Sequence, residues 1–256
     1  MKKIAFVHTG SFFHLATVKD PAVRARPVTP VYWPDYSGDF SEFDAVYLAA
    51  RNHPGVVAAK YGQVLDFLGQ AGKKVFIDGI NQVDSWLPGT SETPRGTNFW
   101  SWRTGEDLGR RSVNTDHPLW EYLSDEAVHW HYHGVLAPPA GATPLVVLTQ
   151  VEQTGPGVDP WGGHYLALPD HPNMLLYHDN VTFPAELVVS TMDATYHHGA
   201  GIAVEDSADG AHWHLENAQK TATAAKVPAA GAGVPASETG QPATATAELA
   251  TGAEEK

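Results

Sequence analysis

Short apolar runs separated by polar turns set the pattern of this chain. Ile4-Ala5-Phe6-Val7 runs into His8-Thr9-Gly10-Ser11, as a buried strand opens into a polar loop. Ala45-Val46-Tyr47-Leu48 forms a second run. It leads to Val57, Tyr61, Val64, Leu65 and Leu68, whose spacing describes one helical stripe. Gly69 and Gly72 supply the stop, and Val75-Phe76-Ile77 follows as another buried strand that closes on Asp78-Gly79. Strand, helix and strand in that order predict a parallel crossover unit.

The second half predicts strands at His129 to His133, Leu145 to Leu148, Tyr165 to Leu168, Met174 to Tyr177 and Leu187 to Thr191. Few helical stripes divide them, so antiparallel additions are expected, with turns at Pro138-Pro139, Gly155-Pro156-Gly157 and Gly162-Gly163. Between Asn81 and Pro118, a stretch rich in Gly, Trp, Pro and Thr reads as a long functional loop or small insertion. Its Trp86, Trp100 and Trp102 either serve a site or cap one end of the core. The fold expected is α/β, a doubly wound and mostly parallel sheet over residues 1–214. Residues 215–256, dominated by Ala, Thr, Gly and Pro, bury too little apolar surface to order alone and would need a partner or a neighbouring subunit.

Composition narrows the function. With 29 acidic against 16 basic residues, the net charge of -13 repels nucleic-acid backbones and anionic membranes. No cysteine is present, which excludes disulfides, thiolate metal sites and a cysteine nucleophile. The opening Met1-Lys2-Lys3-Ile4 is broken by His8 and Gly10 too early for a signal peptide, and no apolar run approaches a spanning length. A cytoplasmic location is therefore expected.

Fourteen histidines supply the candidate chemistry. In a strand over 129–133, His129, His131 and His133 share one face. His131 and His133 could hold a divalent metal with help from Asp193, His197 or His198. His8 and Ser11 follow the first strand, where doubly wound folds contact ligands. Asp78 ends a strand as a candidate base or a turn residue. Asp193, Tyr196, His197 and His198 form the densest cluster, and carboxylate beside imidazole is the minimum for acid–base work, with Asp193 and His197 in the catalytic roles.

Several stretches also carry a family resemblance. Phe43 to Gly79, Trp86-Leu87-Pro88-Gly89, Asp116-His117-Pro118-Leu119, Trp130-His131-Tyr132-His133-Gly134 and Leu187 through Gly199 together resemble the class I glutamine amidotransferase-like superfamily. The nearest look is to its ThuA-like, trehalose-utilisation branch, over roughly residues 1–205. The resemblance implies a flavodoxin-like sandwich. In true amidotransferases of this class a cysteine stands on the sharp turn after a central strand. The matching turn here, Asp78-Gly79-Ile80-Asn81, holds no cysteine, serine or threonine, so glutamine hydrolysis is not expected. Three readings then stand side by side. One is a protein binding or hydrolysing a small polar, sugar-like ligand in a His/Asp cleft. Another is an inactive structural or assembly protein whose tail docks on neighbouring subunits, and the last is a metal-dependent hydrolase.

Overall fold

The computed structural model describes residues 2–95, 107–123, 128, 132–150 and 167–205. Along them run β1 (Ile4–His8), α1 (Phe12–Lys19), α2 (Pro21–Arg24), β2 (Val28–Tyr32), β3 (Ala45–Leu48), α3 (Pro54–Leu68), β4 (Lys74–Ile77) and α4 (Val83–Trp86). β5 (Ser91–Pro94), β6 (Arg110–Ser112), β7 (Gly134–Ala137), β8 (Thr143–Leu148), β9 (Met174–Asp179), β10 (Glu186–Ser190) and α5 (Ala194–Glu205) complete the order. All belong to one unit, Met1–Ala218; the segment beyond it, with the expected tail, lies outside the described residues.

Strand order is β2-β1-β3-β4-β10-β9-β7-β5, with β8 on β9 and β6 on β8. The first five strands are parallel, in the flavodoxin-like arrangement 2-1-3-4 followed by the last strand. From β9 onward every pairing is antiparallel. The fold is therefore α/β and flavodoxin-like, with antiparallel strands added in the second half.

Register explains why each strand reads as a solid apolar run. Ala5, Val46, Val75 and Leu187 align on one face, as do Val7, Leu48, Ile77 and Val189, and they pack in one core with Val57, Val64, Phe67 and Leu68 of α3. Phe6, Tyr47 and Phe76 align on the other face as a ladder of stacked rings, 5.5 Å and then 5.0 Å between centroids. α5 starts on that second face, where Thr195 meets the Tyr47 hydroxyl at 3.0 Å, and it packs along α1. Both faces of parallel strands are covered, so neither needs polar alternation.

One strand is new and three expectations are corrected. β2 was not foreseen, because Pro30 argues against a strand; it is tolerated here since β2 pairs only with β1. The strand expected at 129–133 starts at Gly134, with Tyr132 in an isolated bridge to Met192, while His129 and His131 lie outside the described residues. Part of the stretch from Asn81 to Pro118 carries α4, β5 and β6, and Trp86 is a buried core residue donating to Asn81 O at 2.8 Å. Trp100 and Trp102, with Tyr165 of the expected 165–168 strand, lie outside the described residues, and Leu168 is in no strand.

Candidate functional site

The site is built where the carboxyl ends of β3, β4 and β10 converge. Gly79 is forced by that approach: its N–H donates to Met192 O at 3.0 Å, and a Cβ there would stand 2.7 Å from the same oxygen. This contact sets the Asp78 turn beside the first turn of α5. Asp78 is buried, and its carboxylate accepts from Gly79 N at 3.0 Å, Tyr47 Oη at 3.0 Å, Thr195 N at 2.8 Å and, closely, Thr195 Oγ1. Burial pushes its carboxyl above the usual range even though these donors pull the other way. Tyr47 is held well above its ordinary value by burial and by Asp78, which keeps its hydroxyl proton in place. Asp78 thus pins α5 to the sheet.

Asp193, between β10 and α5, is the centre of a second cluster and has no exposed surface. Its Oδ2 accepts from Arg51 Nε at 2.7 Å and closely from Arg51 Nη2, and His133 Nε2 stands 3.1 Å from that oxygen and 3.3 Å from Arg51 Nη2. His197 Nε2 stands 3.3 Å from Oδ1. The three basic side chains keep between 19% and 29% of their surface, so they and not the carboxylate meet solvent. Arg51 also lies 3.8 Å over the Tyr196 ring. Two non-glycine residues beside the site have left-handed backbones, Arg51 at φ 57° and the β-branched Ile80 at φ 58°. Strain of that kind persists only where surrounding contacts over-determine it.

The expected residues divide accordingly. His133, Asp193, Tyr196 and His197 come together around Arg51, and Asp78 lies one contact away through Thr195. His198 turns aside and pairs with Asp20 at 2.8 Å. His8 is buried beside His14 and Tyr32, held below its ordinary range by burial, and Ser11 precedes α1. His131 lies outside the described residues. Arg51 and His14 were not anticipated. The available signal for Arg51 was its place just past a buried strand end, where this fold class presents ligand contacts.

His14 is fully buried with both ring nitrogens engaged. Ser11 N–H donates to Nδ1 at 3.3 Å, so the ring proton sits on Nε2 and donates to Ala50 O at 2.7 Å. Burial lowers this histidine to about 4, outweighing the Ala50 hydrogen bond, and His8 acts with burial. An unfolded histidine takes its proton near pH ~6.5. Between the two values the unfolded chain binds a proton that the folded chain does not, so stability is full above the unfolded value and is lost as pH falls. From about pH 7.5 to about pH 5 the loss is about 2 kcal/mol. Urea unfolding across that range should show it, and His14→Gln should flatten the slope; equal slopes in both proteins would refute the assignment.

Among the described residues no group of three or more His, Asp and Glu side chains is arranged to hold a metal ion. At Asp193 the Arg51 guanidinium already occupies Oδ2, where a second cation would be repelled. No helix among the described residues is long and apolar enough to cross a membrane.

Fold and site together describe a flavodoxin-like α/β protein with an Arg/His/Asp cluster at its strand ends. No family model matches the chain, and neither does any curated protein. Among solved structures it is similar to the mmIFT52 N-terminal domain, with a TM-score of 0.42 and 10% identity, covering 76% of this chain and 88% of that one.

Proposed function

We propose that this protein is a non-amidotransferase member of the class I glutamine amidotransferase-like fold that binds a small, hydroxyl-bearing, sugar-like ligand at the Asp193 cluster. The observation that carries this reading is the convergence of His133, His197 and Arg51 on one buried carboxylate. His133 Nε2 lies within hydrogen-bond reach of both Asp193 Oδ2, at 3.1 Å, and Arg51 Nη2, at 3.3 Å, so its tautomer sets whether it donates to the carboxylate or accepts from the guanidinium. A neutral imidazole donates from one ring nitrogen and accepts at the other, and a guanidinium donates to oxygen. Hydroxyl groups, which donate and accept at once, match that combination. The ThuA-like resemblance points to the same ligand class by analogy of fold. The turn Asp78-Gly79-Ile80-Asn81 holds no cysteine, serine or threonine and its Asp78 is buried, so chemistry at the Asp193 cluster would fall to an activated water.

Calorimetry and imidazole NMR with trehalose, glucose and glycerol as probes test the proposal. A sugar should bind, and His133→Ala or His197→Ala should each weaken it about tenfold, about 1.4 kcal/mol. Both variants should keep near-parental unfolding midpoints. If no probe binds, or if both variants bind as tightly as the parent, the ligand reading is lost.

A further inference from the structure

The loop carrying Arg51 is fastened on every side. Ala49 N donates to Val7 O at 3.0 Å and Arg51 N to Gly79 O at 2.9 Å. Ala49 O accepts from the side chains of Asn52 and Asn81 at 2.8 and 2.9 Å, and His53 N donates to Thr9 Oγ1 at 2.9 Å. Ala50 O, the carbonyl of the peptide bond entering Arg51, accepts from His14 Nε2. That bond comes from α1.

α1 reaches Arg51 by a second route. The Phe13 ring packs edge-on against Tyr196 at 5.1 Å, and Tyr196 lies beneath the guanidinium. Adjacent residues of one helix therefore support Arg51 from behind, His14 through the backbone and Phe13 through the ring under the side chain. α1 is itself held against α5 at Gly199, where the helices are so close that a Cβ would overlap the Phe13 backbone.

We propose that α1 is a brace for Arg51 and that His14 is its positioning residue, so that protonating His14 releases the guanidinium from Asp193. Protonated His14 would carry a hydrogen on Nδ1 facing the Ser11 N–H, two donors opposed in a site without water-exposed surface. Relief requires the start of α1 to move, and the Ala50 bond moves with it. The groups facing His14 are Ser11 N–H of its own segment, Ala50 O from the β3 loop, the Phe13 ring at 4.4 Å and, from β1, the titratable His8 at 5.9 Å. Protonated His8 opposes a charge on His14, so the pair resists acid until both burial and repulsion are overcome. Without the brace the left-handed Arg51 backbone loses one of the contacts that over-determine it.

The functional consequence rests on the Asp193 cluster being the ligand site, but the brace itself is tested without a ligand. In the 15N-labelled full chain, solvent-exchange protection of the Arg51 Nε–H, scaled to an exposed arginine, reports its bond to Asp193. It should fall several-fold as pH drops from about 7 to about 4. His14→Gln, which can donate to Ala50 O and accept from Ser11 N–H without titrating, should keep the protection across the range. His14→Leu should lose about tenfold already at neutral pH. Protection in the parent that is unchanged by acid, or a His14→Gln profile that follows the parent, overturns the brace, and so does full protection in His14→Leu. Should His14→Leu fail to fold, the His14→Gln profile decides. Loss of protection as expected, with no sugar bound in the calorimetric experiment, would sink the ligand reading alone.

Discussion

Replacing Asp193 by alanine should cost the fold about 3–5 kcal/mol, measured as a fall in the urea midpoint at constant slope. The cost follows from what stays behind. Arg51 donates twice to Asp193 Oδ2, and His133 and His197 both point Nε2 at the same carboxylate. Truncation leaves a guanidinium mostly removed from water, 29% exposed, opposite a cavity. Stacking on Tyr196 fixes the guanidinium there, so it cannot swing out cheaply. Removing the charge as well should recover much of the loss, because a buried pair exchanged for apolar side chains of similar volume is often neutral. Arg51→Met with Asp193→Leu is that exchange. If the single variant loses less than about 1 kcal/mol, the pair is not the buried anchor described here.

Gly199→Ala should be nearly as damaging, at about 3 kcal/mol, although it adds a single methyl group. The ideal Cβ position lies 2.0 Å from Phe13 O and 2.6 Å from Phe13 C. These are backbone atoms of a helix, so no rotamer change relieves the overlap and α1 must move as a body. That movement would also carry Phe13 off Tyr196 and His14 off Ala50 O. Urea unfolding gives the energy, and amide exchange in α1 tells whether the loss is local. A variant with parental stability and undisturbed α1 protection would show that the two helices are not in contact at this point.

The core of the parallel half was legible because its strands are buried on both faces. Ile4 to Val7, Ala45 to Leu48 and Val75 to Ile77 needed no alternation to be recognised, and Val57, Val64 and Leu68 do line the buried side of α3. α1 was not legible: Phe12 and Leu15 face outward while His14 and Thr17 face inward, which erases the amphipathic stripe. That His133 and Asp193 share a rim could be expected, since one stands just before β7 and the other just after β10, whereas His197 lies within α5. The division of labour between His197 and His198 could not. Once Asp193 is followed directly by a helix, His197 lies four residues on and over it, and its neighbour is rotated by about 100° toward Asp20. Arg51 was missed because its role depends on a left-handed backbone and on a partner 142 positions away, neither of which leaves a local trace.

Pro30 has a consequence beyond its effect on recognising β2. This strand is the outer member of the parallel array, hydrogen-bonded to β1 alone, and Pro30 is exposed near its middle. A proline offers no amide hydrogen, so a strand arriving from another molecule would find the row of donors interrupted there. The residue that hides β2 from pattern reading thereby also keeps this flank of the sheet from templating growth between molecules.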